Sequence, residues 1–177
     1  MISRNKEKVD AKLAEVKTKF PSTETVGIKC DFGQLTSMAE YRELVESSEL
    51  KDMDIGILCL NAGTFYSGPI DKIDDKPFEN VFNCTGLHCI YLCKALVKKM
   101  LERDKRCALL ITSSIAAQHM FPSNASYSAT KKMVSNWGES LYYELKPNVD
   151  VTVWEPGFVV SNIHLEKPPG VMTVNTN

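Results

Sequence analysis

Short apolar runs alternate with longer amphipathic segments along this chain. The apolar runs occupy residues 25–30, 54–60, 107–112 and 149–154, and their length and composition predict buried β-strands. The other segments carry apolar residues at helical spacing and predict helices over residues 6–19, 37–49, 75–102 and 124–146. Helices and strands that alternate in this way indicate an α/β organisation.

Local signals mark the starts of two of these helices. Ser37, followed by Glu40 three residues later, forms a capping-box pattern. Pro77 has a backbone already suited to the first turn of the long helix that follows. Asn83 lies inside that long helix, where an asparagine is mildly unfavourable. This favours a functional role for Asn83, although an ordinary exposed asparagine is the alternative.

The last predicted helix carries a tyrosine and a lysine four residues apart. Residues at this spacing share one helix face, so Tyr127 and Lys131 can meet across a turn. A nearby cation favours the phenolate and brings the pKa of a tyrosine, about 10 when unperturbed, closer to neutral pH. Ser114 ends an apolar strand thirteen residues before the tyrosine, where its hydroxyl can hold a substrate oxygen. The set is suited to moving a proton on or off a carbonyl or alcohol oxygen.

The spacing alone does not identify this set, because Tyr142 and Lys146 repeat it. Thirteen residues before Tyr142 lies Ala129, whose side chain can donate nothing. The second pair is therefore interpreted as two surface residues near a helix end. The strand and the serine that precede Tyr127 distinguish the first pair.

Two more strand ends carry glycine motifs. Residues 54–60 run directly into a turn formed by Asn61, Ala62 and Gly63, whose small side chains let the backbone approach a flat ligand. Residues 149–154 end just before Pro156 and Gly157. Ends of this kind lie where an open parallel sheet binds its ligands.

The order and spacing of these motifs resemble the short-chain dehydrogenase/reductase family. The matching segments are Asn61-Ala62-Gly63, Asn83, Ser114, Tyr127-Ser-Ala-Thr-Lys131 and Pro156-Gly157-Phe-Val-Val-Ser161. The family usually has threonine where this chain has Ser161, so the hydroxyl is kept. Short matches at residues 54–58, 127–134 and 166–169 are similar to the branch of hydroxysteroid dehydrogenases and very-long-chain 3-oxoacyl-CoA reductases.

The resemblance implies a fold, a cofactor site and four catalytic roles. The fold is a Rossmann-like three-layer αβα parallel sheet. Tyr127 is the expected general acid–base, and Ser114 is expected to orient the substrate carbonyl. Lys131 is expected to lower the pKa of the tyrosine and to hold the nicotinamide ribose, and Asn83 to support a water-linked proton relay. The expected cofactor-binding residues are Arg4, Asp31, Phe32, Asn61, Ala62, Gly63, Tyr127, Lys131, Pro156, Gly157, Val159 and Ser161.

Arg4 favours NADP(H) over NAD(H) as the cofactor. It follows the expected second strand of the fold, where an acidic residue suits the ribose of NAD and an arginine suits the 2′-phosphate of NADP. The alternative is that Arg4 belongs to a solvated basic face with Lys6, Lys8 and Lys12. Asp31 matches the family's adenine-contacting aspartate, or is an ordinary turn residue after a strand.

Two loops are expected to border the substrate. Residues 64–69 carry Phe65, although Gly68 and Pro69 by themselves account for a turn there. Residues 118–122 carry His119, interpreted as a pocket wall or a surface residue because Tyr127 already serves as the acid–base. The expected substrate-contacting residues are Ser114, Phe65, His119 and Tyr127.

One part of the family fold is missing from the sequence. No strand leads into a glycine-rich turn and a helix that would receive the cofactor pyrophosphate. The predicted fold therefore lacks the first strand, the glycine-rich loop and the first helix, and it also stops before the family's last helices and strand. The first strand is central in the usual strand order 3-2-1-4-5-6 of this fold. Its loss is predicted to leave a gap between the third and fourth strands, with unpaired backbone groups. Residues 1–177 are interpreted as one partial domain, either truncated or dependent on a partner.

Composition narrows the partners and the location. The 177 residues carry a net charge of −1, so no basic excess is present to neutralise nucleic-acid phosphates. No apolar stretch reaches the ~20 residues of a membrane span. The six cysteines lie mostly in apolar runs and are interpreted as buried residues of a reducing compartment. We expect a cytoplasmic protein, or one associated with the endoplasmic reticulum membrane if a longer parent chain carries an anchor.

A metal site is not expected. Three of the cysteines, Cys84, Cys89 and Cys93, share one helix, and His88 lies beside them, but their spacing matches no zinc pattern.

Two functions are compatible with this sequence. The first is an NADP(H)-dependent oxidoreductase that interconverts a ketone and a secondary alcohol, with a lipid-like 3-oxoacyl thioester or steroid as substrate. The second is a truncated, catalytically impaired relative that acts as a binding or assembly subunit. For either one, the resemblance implies a homodimer or tetramer through the helices that carry Asn83 and Tyr127.

Overall fold

The computed structural model describes residues 1–159, which form five strands and five α-helices. The strands are β1 (Ile2–Ser3), β2 (Ile28–Lys29), β3 (Ile57–Leu60), β4 (Cys107–Thr112) and β5 (Val149–Trp154). The helices are α1 (Lys6–Lys19), α2 (Met38–Glu46), α3 (Asp75–Val81), α4 (His88–Leu101) and α5 (Ala125–Glu144). Single turns of 3₁₀-helix lie at Glu49–Lys51, Ile70–Lys72 and Ile115–Ala117.

The five strands are parallel but form two separate sheets. One sheet contains β1 and β2, and the other contains β3, β4 and β5 in that order. The predicted break in the sheet is therefore present. In the 3-2-1-4-5-6 order, however, the missing first strand has the second and fourth strands as neighbours. The break therefore corresponds to the space between β1 and β3, and its placement beside the third strand was wrong.

The main core lies between the larger sheet and helices α2, α4 and α5. Alternate residues of β4 and β5 point into it, with Leu109 and Ile111 almost fully buried. Tyr41 of α2, Leu96 of α4 and Val134 of α5 complete the contacts from the helical side. This arrangement brings the carboxyl ends of the three strands beside the start of α5.

Helix α1 lies on the other side of the smaller sheet. Ile28 faces the main core, so its neighbour Gly27 faces the opposite way. A Cβ at Gly27 would come within 2.6 Å of Val9 Cγ1, which shows how closely α1 packs there. Helices therefore flank the sheet on both sides, and the structure confirms a Rossmann-like αβα fold.

The α1 side of the larger sheet is open among residues 1–159. Ile57 of β3 is 69% exposed and Trp154 of β5 is 51% exposed, and Cys59 is also exposed. Strands of a parallel sheet are normally buried on both faces. The three layers are therefore complete only over β1 and β2.

Several element boundaries differ from the sequence prediction. The strand predicted over residues 25–30 is reduced to β2, because a strand needs a partner and β1 offers only two residues. The capping box between Ser37 and Glu40 is confirmed, but α2 ends at Glu46. The long helix predicted over residues 75–102 is interrupted between α3 and α4 by a π-helical segment, Phe82–Leu87, which carries Asn83.

Candidate active site

The side chains of Tyr127 and Ser114 lie near each other and line the same cleft. Ser114 is the second residue after β4 and caps the 3₁₀ turn that follows, where its Oγ accepts a 3.2 Å hydrogen bond from the Ala116 amide. Tyr127 lies in the first turn of α5, which begins after Asn124. The strand end and the helix start thus bring together two side chains that the sequence places thirteen residues apart.

Burial, not a neighbouring cation, has the largest effect on the pKa of Tyr127. It raises the pKa of the phenol, because the charged phenolate is poorly solvated there, and the nearby Ser114 hydroxyl opposes this shift. The sequence predicted that Lys131 lowers the pKa of Tyr127. In the structure, the pKa of the phenol is instead shifted upward.

Lys131 is 4% exposed and binds a backbone carbonyl instead of the phenol. Its Nζ donates a 2.7 Å hydrogen bond to the Thr112 oxygen and lies 5.7 Å from the centroid of the Tyr127 ring. Burial lowers the pKa of Lys131, and the nearby Cys89 and Cys84 thiols oppose that shift. A desolvated ammonium needs an acceptor, and the end of β4 supplies one within reach.

Tyr127, Ser114 and Lys131 open onto one cleft of about 460 Å³ at the carboxyl ends of β3, β4 and β5. The predicted cofactor residues from the two glycine motifs share this cleft. Its lining comprises Asn61, Ala62, Gly63, Thr112, Ser113, Ser114, Tyr127, Lys131, Trp154, Pro156, Gly157 and Val159. Ser161, which was also predicted to bind the cofactor, lies outside the described residues.

A second cleft, of about 210 Å³, lies where β1, β2 and β3 end. Arg4, Asp31 and Phe32 line it together with Ala62 and Gly63, which also line the first cleft. The Phe32 ring itself is buried in the core, stacked 4.9 Å from His88. The predicted cofactor residues thus fall into two clefts that share one wall.

This pair of clefts suits an elongated, anionic nucleotide with a flat ring. The cation Arg4 borders one cleft and the cation Lys131 borders the other, and small residues form the wall between them. A glycine at the shared wall leaves its backbone open to close approach. The chemistry of these residues therefore fits a nicotinamide dinucleotide.

Asn83 does not line the cleft that contains Tyr127. Its Nδ2 donates a 3.2 Å hydrogen bond to the Gly33 carbonyl, in the loop after β2. It borders a different cleft, together with Arg4 and Asp31. The structure therefore places Asn83 with the loop after β2 and not with Tyr127 and Ser114.

The two predicted substrate loops take different positions. Phe65 packs edge-to-face against Tyr127, with ring centroids 5.9 Å apart. His119 is exposed, and its ring contacts Phe121 at 6.4 Å rather than lining the Tyr127 cleft. Of the two loop residues that were predicted to contact the substrate, Phe65 is adjacent to the phenol of Tyr127 and His119 is a surface residue.

A polar network that was not predicted from the sequence lies behind Lys131. Ser113 Oγ lies 3.0 Å from the Lys131 carbonyl and 2.6 Å from Ser135 Oγ. Ser135 in turn donates to the Glu155 carboxylate, which also accepts two hydrogen bonds from Gln118. The network joins the ends of β4 and β5 to α5. Adjacent serines at residues 113 and 114 were its only sequence signal.

The described part of the chain contains no helix with the length and apolar character that a membrane span requires. Within the same residues, no group of three or more His, Cys, Asp or Glu side chains is placed to hold a metal ion.

Comparison with known proteins identifies the family. A family model described as short chain dehydrogenase matches residues 1–170. The chain is 28% identical over 166 residues to the very-long-chain 3-oxoacyl-CoA reductase of Mycosarcoma maydis, covering 92% of this chain and 46% of that protein. It is 31% identical over 150 residues to the reductase of the same name from Anas platyrhynchos, covering 82% and 46%.

A solved structure of a 7β-hydroxysteroid dehydrogenase has the same fold. It matches with a TM-score of 0.82 at 23% sequence identity, over 97% of this chain and 66% of that chain. The chain belongs to the short-chain dehydrogenase family. It spans less than half the length of the two reductases above, 46% in each case.

Proposed function

We propose that this chain bears the catalytic site of an NADP(H)-dependent reductase that interconverts a ketone and a secondary alcohol. The main support is the single cleft that brings Ser114 and Tyr127 together with the buried Lys131. When bound, the nicotinamide cofactor supplies a hydride to the carbonyl carbon. The chain's own residues then have to hold the carbonyl and protonate its oxygen.

Each side chain has one task in this proposal. The Ser114 hydroxyl orients the substrate oxygen against the phenol. Tyr127 donates the proton to that oxygen, because the phenol is protonated at neutral pH. Lys131 binds the nicotinamide ribose and, being positively charged, stabilises the phenolate that remains after proton transfer. Solvent then returns a proton to Tyr127.

The preference for NADP(H) rests on Arg4. Its side chain is exposed and borders the clefts at the ends of β1 and β2, with Lys29 nearby in one of them. Arginine presents a planar set of donors that matches a phosphate, which supports recognition of a ribose 2′-phosphate. Asp31 lies in the same clefts and accepts a 3.0 Å hydrogen bond from the Gly33 amide.

A lipid-like ketone, either a 3-oxoacyl thioester or a steroid, is the proposed substrate. Similarity to very-long-chain 3-oxoacyl-CoA reductases supports this class. Phe65 beside the phenol and Val159 in the cleft lining offer apolar contacts. The loops nearby also carry exposed apolar side chains, with Met120 96% and Phe158 78% exposed.

The deciding experiment is a titration of this chain with NADPH and, in parallel, NADH, followed by nucleotide fluorescence or calorimetry. We expect NADPH to bind more tightly, and Arg4→Ala to remove the preference. A screen of 3-oxoacyl thioesters and ketosteroids then follows NADPH consumption at 340 nm, the usual wavelength for this cofactor. Failure of both nucleotides to bind would contradict an enzymatic function for this chain.

The open sheet surface supports a second candidate, a binding or assembly subunit. Among residues 1–159, β3 is an edge strand of its sheet and its Ile57 and Cys59 are exposed, which offers a surface that another polypeptide can cover. Sedimentation velocity at micromolar concentration tests this candidate together with the proposed homodimer through α4 and α5. A monomer that binds NADPH would count against both forms of assembly.

The remaining proposals concern the whole protein. Residues 1–177 are proposed to be part of one dehydrogenase domain, which limited proteolysis of a longer parent would test. A cytoplasmic location is proposed, with association with the endoplasmic reticulum membrane as the alternative for a longer chain. Fractionation of cells that express the parent protein distinguishes the two.

A further inference from the structure

Thr85 lies beneath the turn that forms the shared wall of the two clefts. It belongs to the π-helical segment Phe82–Leu87, and its side chain is fully buried, with 0% exposure. Its Oγ1 donates a 2.6 Å hydrogen bond to the Thr64 carbonyl and accepts a 3.0 Å hydrogen bond from the Thr64 amide. A hydroxyl has one proton to donate and can accept as well, so a single side chain satisfies both groups.

These two hydrogen bonds are important because Thr64 lies outside the sheet, after the end of β3. It follows β3 and the turn from Asn61 to Gly63, so its backbone groups no longer have the partner strand β4. Buried backbone groups need hydrogen-bond partners, and Thr85 supplies both partners for this residue from 21 positions along the chain. The conformation of the turn therefore depends on a side chain from another element.

Thr85 and Lys131 both approach Gly63 of the turn. A Cβ built at Gly63 would lie 3.7 Å from Thr85 Oγ1 and 3.9 Å from Lys131 Nζ. Gly86, the next residue, packs against α5 so closely that a Cβ there would come within 2.6 Å of Met133 Cε. The π-helical segment thus contacts the turn on one side and the catalytic helix on the other.

We propose that Thr85 is a positioning residue that fixes the Asn61–Thr64 turn at the nucleotide-binding cleft. The consequence for nucleotide binding rests on the proposed function, whereas the effect on the turn does not. π-Helical segments are frequent at functional sites, and this one places Thr85 where an uninterrupted α-helix was predicted. No signal in the sequence singled out Thr85, because its role depends on a contact with Thr64 in another element.

Thr85→Val tests the inference in the intact chain. Valine keeps the shape and removes both hydrogen bonds, so amide hydrogen exchange at Thr64 should speed up by about tenfold while most of the chain stays protected. Thr85→Ser retains the hydroxyl and should restore slow exchange. NADPH affinity should fall by about tenfold in the valine variant and recover in the serine variant.

Thr130→Val is the matched control. Thr130 is also a buried threonine, 1% exposed, and its Oγ1 donates a 2.8 Å hydrogen bond to the Tyr127 carbonyl within its own helix. Its replacement should leave exchange at Thr64 unchanged. Faster exchange throughout Thr85→Val, or no change at Thr64, would overturn the inference, because Thr85 would then be an ordinary core residue.

The nucleotide measurement separates the two proposals. If the unmodified chain binds neither NADPH nor NADH, the proposed function fails, and the exchange results still decide whether Thr85 fixes the turn. If the chain binds NADPH and Thr85→Val loosens the turn without weakening binding, the link between the turn and the nucleotide is wrong.

Discussion

Helix α5 and the two residues after its end contain the same tyrosine–lysine spacing twice, with different outcomes. Lys146 Nζ lies over the Tyr142 ring, 3.5 Å from its centroid, in an exposed cation–π contact. Lys131 Nζ is 5.7 Å from the Tyr127 centroid and binds the Thr112 carbonyl instead. In solvent, the ring is a good local partner for the cation. In the buried pair, tertiary structure provides a stronger acceptor and separates the lysine from the phenol.

The difference shows that spacing determines which side chains can meet, whereas burial determines their hydrogen-bond partners and their pKa values. The buried pair includes a tyrosine whose pKa is raised and a lysine whose pKa is lowered, both chiefly by desolvation. Groups with shifted pKa values in a cleft are candidates for catalysis. The comparison can therefore be tested by changing each pair in the same way.

The largest expected difference is in catalysis by the two tyrosines. Tyr127→Phe removes the proton donor and should lower the rate of NADPH-dependent ketone reduction by about 10²- to 10⁴-fold. Tyr142→Phe should leave that rate essentially unchanged, because the ring and its contact with Lys146 remain. Steady-state assays of both variants with the best ketone from the screen make the measurement. Similar losses in both variants would contradict the assignment of Tyr127.

The two lysines should differ next in nucleotide binding. Lys131→Met removes a buried ammonium from the cleft and should weaken NADPH affinity by about 10- to 100-fold, the range for a hydrogen bond to a charged group. Lys146→Met, with the same change in charge, should have no such effect. Calorimetric titration of both variants tests this. Equal affinities would exclude Lys131 from the nucleotide site.

The stability of the fold should depend on pH, because His88 is buried in the core near Lys131. Burial lowers the pKa of His88 from 6.5 to about 4. The unfolded chain therefore binds more protons between these values, and the free energy of unfolding should rise with pH across that window by up to about 1.4 kcal/mol per pH unit. Below about pH 4 this contribution is lost.

Denaturant unfolding at several pH values between 4 and 7 measures that slope. His88→Phe removes the titrating group while keeping an aromatic ring against Phe32, so the slope should become shallower. The exposed His119 serves as the control, and His119→Phe should leave the slope unchanged. An unaltered slope in His88→Phe would show that other groups govern acid unfolding.

The smallest effect concerns the exposed pair itself. Removing the cation with Lys146→Met should lower the free energy of unfolding by no more than about 0.5–1 kcal/mol, the range for an exposed cation–π contact. Urea unfolding of Lys146→Met beside the unmodified chain measures it. A loss of several kcal/mol would show that this pair also has a structural role.

Much of the fold was predictable because its signals are local. Helix α1 was predicted with the observed boundaries, and β4 and β5 were predicted as observed, since each is bounded by clear breaks in the apolar pattern. The capping box at Ser37 was also local. By contrast, β2 was predicted too long, because the length of a strand depends on its partner.

The candidate site was predictable to a similar degree. The motifs at the ends of β3, β4 and β5 do converge on one cleft, since parallel strands bring their carboxyl ends together. Asn83 and His119 are among the predicted residues that do not join that cleft: Asn83 bonds to Gly33 and His119 is exposed. Neither position could be inferred from spacing, because one depends on a π-helical segment and the other on the path of a loop.

The sequence by itself determined the family, the order of elements and the residues that meet at the strand ends. It could do so because periodicity, turn residues and motif spacing act within a few residues of one another. Only the tertiary structure decided which groups are desolvated and which partners they find. In that structure the Lys131 ammonium donates a hydrogen bond to the Thr112 carbonyl, burial raises the pKa of Tyr127, and Thr85 lies beneath the turn at Thr64. These outcomes depend on burial and on contacts between distant elements, which no local pattern of residues records.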